Sequence, residues 1–243
     1  MTGASGYLGR ELVRLRPDAS AERVEIRDER AVSELLARVR PDVVIHTAYR
    51  QDGADAHAIT CGGAANVARA AAAVGARLVH LSTDVVFDGR KGTPYVEDDP
   101  VCPVTDYGRS KVEAERLVSA AHPDALLVRT SLIVGGRGAA PSKHEVAARD
   151  PAMAFFTNEI RSPVQVGDLA AALLELAELD VAGPLHVAGA DAVSRADLAE
   201  LVAAQPVRRA EAPATRPLDC TLDSSRAQAM IRTRLRGVRE VLQ

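Results

Sequence analysis

The sequence predicts an α/β protein, a parallel sheet with helices on both faces. Three observations carry this reading. Continuous apolar, β-branched runs recur at 42–48, 77–82 and 125–130, the pattern of strands buried on both faces. Segments with helical spacing lie between them, so that β and α alternate. A glycine-spaced turn, Gly3-x-x-Gly6-x-x-Gly9, opens the chain ahead of a helix. At 243 residues and 47% apolar content the chain can bury a full core.

Composition excludes several functions. Net charge is −3 with no basic block, and Trp is absent, so neither a phosphate-tracking surface nor a base-stacking platform is expected. We therefore expect no nucleic-acid partner and no membrane partner. No apolar run reaches the length of a membrane span or a secretion signal. Cys61, Cys102 and Cys220 are odd in number and far apart, which predicts reduced thiols in a cytoplasmic protein and no zinc site.

The glycine turn lets backbone approach a pyrophosphate, and the helix behind it offers N-terminal N–H groups to the phosphates. That fingerprint requires a buried strand immediately before its first glycine. Only Met1 and Thr2 precede Gly3. The expectation is a Rossmann-like, doubly wound sheet whose first strand is missing from this N-terminus, in a natural protein that begins upstream. Leu8 to Leu15 reads as the helix, ending near Pro17. Arg23 to Asp28 reads as a short second strand. An acidic residue about 20 positions beyond the glycines contacts the adenosine ribose in such folds. Glu25 and Asp28 are the candidates, Arg27 would favour a 2′-phosphate, and a solvated charged turn is an equal alternative.

Val32, Leu35, Leu36 and Val39 share one helix face, and Pro41-Asp42 ends that helix. The strand at 42–48 closes on His46, read as a core histidine, and delivers Ala48, Tyr49 and Arg50 to its carboxyl end, where ligands gather. Ala58 to Val74 is an Ala-rich helix stopped by Gly75. The strand at 77–82 delivers Thr83 to the same edge. A loop over 88–106 follows, and Thr105 or Asp106 caps the next helix. After Ser131 the chain becomes irregular, then helical at 166–179, extended at 183–189 and helical again from Ser194. A final helix runs from Ser224 or Ser225 towards the end. The expected division is a dinucleotide-binding domain over 1–130, with 164–189 returning to it, and a small substrate lobe from 131–163 and 190–243.

The chemistry concentrates between Ser82 and Lys111. Tyr107 and Lys111 lie one helical turn apart on one face. An ammonium there would stabilise a phenolate and draw its pKa from about 10 towards neutrality, and such a phenol can protonate a carbonyl oxygen as hydride reaches the carbon. Thr83 would hold the same oxygen. The chain has four Tyr but only three Lys, against 30 cationic residues, and chance placement gives about 0.05 such pairs. A compact lysine here is therefore informative, since arginine is larger and fixed in geometry.

The chain resembles the extended short-chain dehydrogenase/reductases, specifically the dTDP-4-dehydrorhamnose reductase family. The resemblance rests on Thr2 to Gly9, Arg40 to Ile45, Leu81-Ser82-Thr83-Asp84-Val85-Val86-Phe87-Asp88-Gly89, Pro94 to Pro100, Tyr107-Gly108-Arg109-Ser110-Lys111, Arg129-Thr130-Ser131, Ser162-Pro163 with Asp168 to Ala170, and Arg216-Pro217 with Leu222-Asp223. It implies an oxidoreductase that reduces a 4-keto sugar nucleotide with NADPH or NADH. Thr83, Tyr107 and Lys111 would be its catalytic set. Gly3, Ser5, Gly6, Tyr7 and Leu8 would hold the pyrophosphate, Glu25 and Ile26 would flank the adenine, and Ala48, Tyr49, Arg50, Tyr107 and Lys111 would complete the cofactor contacts. Thr83, Asp84 and Leu132 would face the substrate, no metal is implied, and a homodimer is compatible.

Three positions depart from the family pattern: Val85 replaces a tyrosine, Thr60 stands where an asparagine is usual, and Leu132 replaces a tryptophan that packs on substrate. The last costs an aromatic wall worth about 1 kcal/mol. The alternatives are a non-catalytic nucleotide-binding subunit resembling the beta subunit of methionine adenosyltransferase, or an epimerase or dehydratase on the same scaffold.

Overall fold

The computed structural model describes residues 1–243. Its main sheet has four strands, β1 (Val43–His46), β2 (Arg77–Thr83), β3 (Leu126–Thr130) and β4 (Gly183–His186), side by side in that order and all parallel. Val43 lies opposite Arg77, Val79 opposite Leu126, and Leu126 opposite Gly183. Side chains alternate across a strand, and here both faces are apolar. Ile45, Val79, Leu81, Leu126 and Val128 point to one face, whereas Val44, Leu78 and Leu127 point to the other.

Each face is covered by the helices between the strands. The helices are α1 (Tyr7–Leu15), α2 (Glu29–Val39), α3 (Ala64–Ala73), α4 (Asp106–Ala121), α5 (Lys143–Ala148), α6 (Val166–Ala177) and α7 (Arg195–Ala203). Leu8 and Leu12 of α1 join Leu169, Leu173 and Leu176 of α6 on the first face. Val32 and Leu36 of α2, Val67 of α3 and Val118 of α4 cover the second. Each such buried side chain contributes about 1.5–3 kcal/mol. Caps start the helices where the sequence places them. Thr105 accepts the Gly108 N–H (3.1 Å) at α4, and Ser194 accepts the Asp197 N–H (3.0 Å) at α7.

Three expectations are corrected. Residues 23–28 form no strand. Glu25 there folds back on Arg27, and the Asn66 amide donates to the carbonyls of Ile26 and Arg27, closing a turn instead of a ladder. The helix expected over 58–74 begins as a π-helical segment, Ala58–Gly63, before α3. The terminal helix is two short ones, Ser225–Met230 and Val238–Leu242. The link between them is held open by α6: Glu175 accepts the N–H groups of Arg232 and Thr233, and Asp168 takes Arg236 bidentately.

The irregular half contributes three two-stranded pairs: Ile133–Val134 with Val164–Gln165, Ala154–Phe156 with Arg208–Ala210, and Ile160–Arg161 with Val193–Ser194. Val134, Val193, Leu198, Val238 and Val241 make a separate apolar cluster there. No helix is long and apolar enough to cross a membrane.

Candidate active site

The carboxyl ends of β1 and β2 and the start of α4 meet at one place. Thr83 is the last residue of β2, and its hydroxyl donates to Asp84 Oδ1 (3.2 Å). Lys111, on the buried face of α4, donates from Nζ to the Leu81 carbonyl (2.7 Å), two residues before Thr83 on the same strand. Tyr49, just beyond β1, spans the other two aromatic and cationic groups. Its ring centroid is 5.7 Å from that of Tyr107 and 5.3 Å from Lys111 Nζ. The structure thus brings Thr83, Tyr107, Lys111 and Tyr49 together.

The electrostatics differ from the expectation. Burial pushes the Tyr107 phenol well above its usual 10, Tyr49 and Asp84 add to the rise, and the Thr83 hydroxyl opposes it. No cation draws it down, because the Lys111 ammonium is spent on the Leu81 carbonyl and the Tyr49 ring. Burial lowers Lys111 itself to about 8, with the Glu115 carboxylate working the other way. Tyr107 is therefore a protonated phenol at neutral pH, the form a proton donor needs.

Beneath the site lies a charged network that sequence reasoning missed. Glu115 accepts from Ser82 Oγ (2.5 Å) and pairs bidentately with Arg129 (3.1 and 2.8 Å). Arg129 also stacks over Phe87 and donates to the Glu97 carbonyl. The signal was present: Tyr107, Lys111 and Glu115 follow one another at four-residue spacing on one helix face.

The glycine turn is a shaped cradle. Gly3 sits at φ +76°, and a Cβ there would lie 2.6 Å from Thr47 Oγ1. A Cβ on Gly9 would lie 2.1 Å from the Gly3 carbonyl oxygen. These close approaches are what a backbone cradle for a pyrophosphate requires, so the residues present fit a dinucleotide. Ser5 and Gly6 are exposed at its rim, and Leu8 turns its side chain into the core. The Tyr7 hydroxyl donates to the Ala140 carbonyl (2.5 Å), tying the cradle to the lobe. Ile26 packs on Gly63 and shares a cluster with Ala48, which sets the Glu25 turn beside the end of β1. Glu25 is bonded to Arg27, and Arg27 also pairs with Asp55 (3.1 Å). Arg50 exchanges backbone hydrogen bonds with the Thr60 hydroxyl.

On the lobe side Asp84 is buried, accepts from Ser131 Oγ (2.6 Å) and faces Arg161 Nε (3.7 Å). Burial raises its carboxyl, and Arg161 resists that rise. Further cations follow. Arg195 lies near Arg161, Arg216 and Glu159, bonds His144 (3.3 Å), and is lowered mainly by burial. Lys143 reaches across to Gln51 in the loop after β1 (2.9 Å). No motif in the sequence announces Lys143, Arg161 or Arg195. Leu132 packs on the lobe's own apolar cluster. His46 is a core residue: its Nδ1 meets Thr2 Oγ1 (2.5 Å), its ring stacks on His80, and burial lowers it to about 3.

Comparison with known proteins gives a consistent picture. The profile of the RmlD substrate binding domain family matches residues 1–243. A dTDP-4-dehydrorhamnose reductase of Mycolicibacterium smegmatis is 39% identical over 276 aligned positions, covering 100% of this chain and 83% of that protein. A dTDP-4-dehydrorhamnose reductase of Bacillus anthracis, solved in complex with NADP, superposes with a TM-score of 0.86 at 25% identity, covering 99% of this chain and 95% of that one. A hypothetical dTDP-4-dehydrorhamnose reductase of Sulfolobus tokodaii gives a TM-score of 0.83 at 30% identity, covering 97% and 95%.

Proposed function

Because the chain belongs to the RmlD substrate binding domain family, we propose that it reduces the 4-keto group of a sugar nucleotide with hydride from NADPH or NADH. The observation that carries this is the convergence of Thr83, Tyr107 and Lys111 at the carboxyl end of β2. The relatives' names as reductases, and the NADP bound by the Bacillus anthracis protein, agree with it.

The nicotinamide, when bound, supplies the hydride. Gly3, Ser5, Gly6, Tyr7 and Leu8 hold the pyrophosphate, Glu25 and Ile26 flank the adenosine, and Ala48, Tyr49 and Arg50 line the path to the reacting end. Thr83 donates a hydrogen bond to the keto oxygen, and Tyr107 hands that oxygen its proton as the carbon is reduced. Lys111, anchored on the Leu81 carbonyl beneath the site, would contact the cofactor from there. Asp84 and Leu132 stand on the substrate side with the small lobe, 131–163 and 190–243. Arg195, Arg216 and Lys143 supply charge suited to a diphosphate. We place the protein in the cytoplasm, with a small-molecule substrate and no nucleic-acid partner; a homodimer is compatible with this reading.

The test offers NADPH and a panel of 4-keto sugar nucleotides, and follows loss of NADPH absorbance. Turnover that falls by about 10²–10⁴ in Tyr107→Phe, with cofactor binding retained, supports the reading. A Tyr107→Phe variant as active as the parent sinks it.

A further inference from the structure

Residues 135–142 leave the short strand Ile133–Val134 of the lobe and lead into α5. Gly136 and Gly138 sit at φ +67° and +85°, where glycine goes without steric cost, so the chain can double back here. One buried carboxylate closes the neck of this loop. Glu145 is 5% exposed and accepts the N–H groups of Gly135 (2.7 Å), Gly136 (3.1 Å) and Ser142 (2.7 Å). The Gln165 amide holds the Gly135 carbonyl as well (2.9 Å).

The Ser142 bond is half of a capping box, and a capping box needs nothing beyond the start of α5. The bonds to Gly135 and Gly136 lie outside it: they join one end of the loop to the other. Burial alone would raise the Glu145 carboxyl, but these N–H groups hold it below the usual carboxylate range. The far part of the loop reaches the cofactor side. The Tyr7 hydroxyl donates to the Ala140 carbonyl (2.5 Å), and a Cβ on Gly135 would lie 2.7 Å from the same hydroxyl oxygen. Burial, and then the Glu145 carboxylate, push this phenol up to about 12, so it keeps the proton that it donates. Tyr7 is the first residue of α1, directly after the glycine turn. Lys143, one residue past the loop, adds a tie to Gln51 (2.9 Å).

We propose that residues 135–142 are a strap at the glycine cradle, with Glu145 as the positioning residue that folds it and the Tyr7–Ala140 hydrogen bond as its latch. The strap opens to let a dinucleotide in or out and closes to retain it. Glu145 acts through the strap and touches no reacting atom. The inference rests on the reading of Gly3 to Leu8 as a pyrophosphate cradle.

Tyr7→Phe carries the test. It removes the hydroxyl, keeps the backbone N–H of the cradle, and keeps the ring packed on the α1/α6 cluster. Loss of one hydrogen bond should raise the open population about fivefold. Stopped-flow fluorescence of NADPH should then show association and release both about fivefold faster, with Kd nearly unchanged. Faster release with unchanged association is the mark of a lost cofactor contact and would overturn the proposal. Glu145→Gln turns an amide NH2 towards backbone N–H groups and should speed both rates in the same way. Because both changes open one strap, the double variant should be no faster than the quicker single. Rates that multiply, to about 25-fold, would assign the two residues to separate roles and overturn the proposal. Arg137 is exposed on the strap. Without cofactor, trypsin should cut after Arg137 about fivefold faster in Tyr7→Phe than in the parent, and equal rates would overturn the latch. This last readout needs neither cofactor nor turnover, so failure of the strap is separable from failure of the reductase reading.

Discussion

Replacing Glu115 with glutamine tests the network on which the site rests. The Glu115 and Arg129 side chains are 8% and 5% exposed, and they share two hydrogen bonds. Removing one partner of a buried pair costs about 3–5 kcal/mol, because the other charge stays desolvated. Arg129 cannot escape to water: it is stacked on Phe87 and bonded to the Glu97 carbonyl. A glutamine keeps the volume and one acceptor for Ser82, so the loss should fall near 3 kcal/mol. At about 2–4 °C per kcal/mol for a chain of this size, the midpoint should drop by about 6–12 °C. Urea unfolding should show the midpoint falling at unchanged slope. The paired change Glu115→Leu with Arg129→Met should recover most of the loss. A Glu115→Gln protein within 1 kcal/mol of the parent, or a double variant no better than the single, would refute the reasoning.

Three further outcomes are expected. Lys111 sits at about 8 in the folded protein against 10.5 for the free side chain. The unfolded chain therefore binds the extra proton between those values, and stability should rise with pH across that window by up to about 3 kcal/mol. Lys111→Met should flatten that rise in pH-dependent urea titrations. Gly9→Ala, whose Cβ would meet the Gly3 carbonyl at 2.1 Å, should cost about 1–3 kcal/mol and weaken NADPH binding by calorimetry, whereas Gly62→Ala, with open space around it, should do neither. Glu25→Gln should shift relative affinity towards NADPH over NADH by about fivefold, by removing a carboxylate that repels a 2′-phosphate and neutralises Arg27. An unchanged ratio would move the adenosine ribose away from this turn.

The parts legible in the sequence are those set by short-range periodicity. The β-branched runs became β1, β2 and β3 because both their faces are covered, and the four-residue spacing of Tyr107 and Lys111 put both on α4. Residues 23–28 carry strand propensity, but propensity says nothing about a neighbour. The segment has no ladder to join, and Asn66 satisfies its carbonyls instead. The direction of the Tyr107 shift is likewise hidden from the sequence. Spacing places Lys111 on the same face but cannot reveal that its ammonium is held by Leu81. The lobe cations Arg161, Arg195 and Arg216 come from separate segments, and only the tertiary fold gathers them around Asp84 and Glu159.

The most direct test of the reducing centre is the fate of a labelled hydride. NADPH carrying deuterium at the transferred position is mixed with the protein and a 4-keto sugar nucleotide, and the product is read by mass spectrometry and NMR. The account predicts one deuterium on carbon 4 of the sugar with the parent chain, and almost none at equal times with Tyr107→Phe. Deuterium at another carbon, label taken from solvent instead of NADPH, or equal transfer by Tyr107→Phe would contradict it.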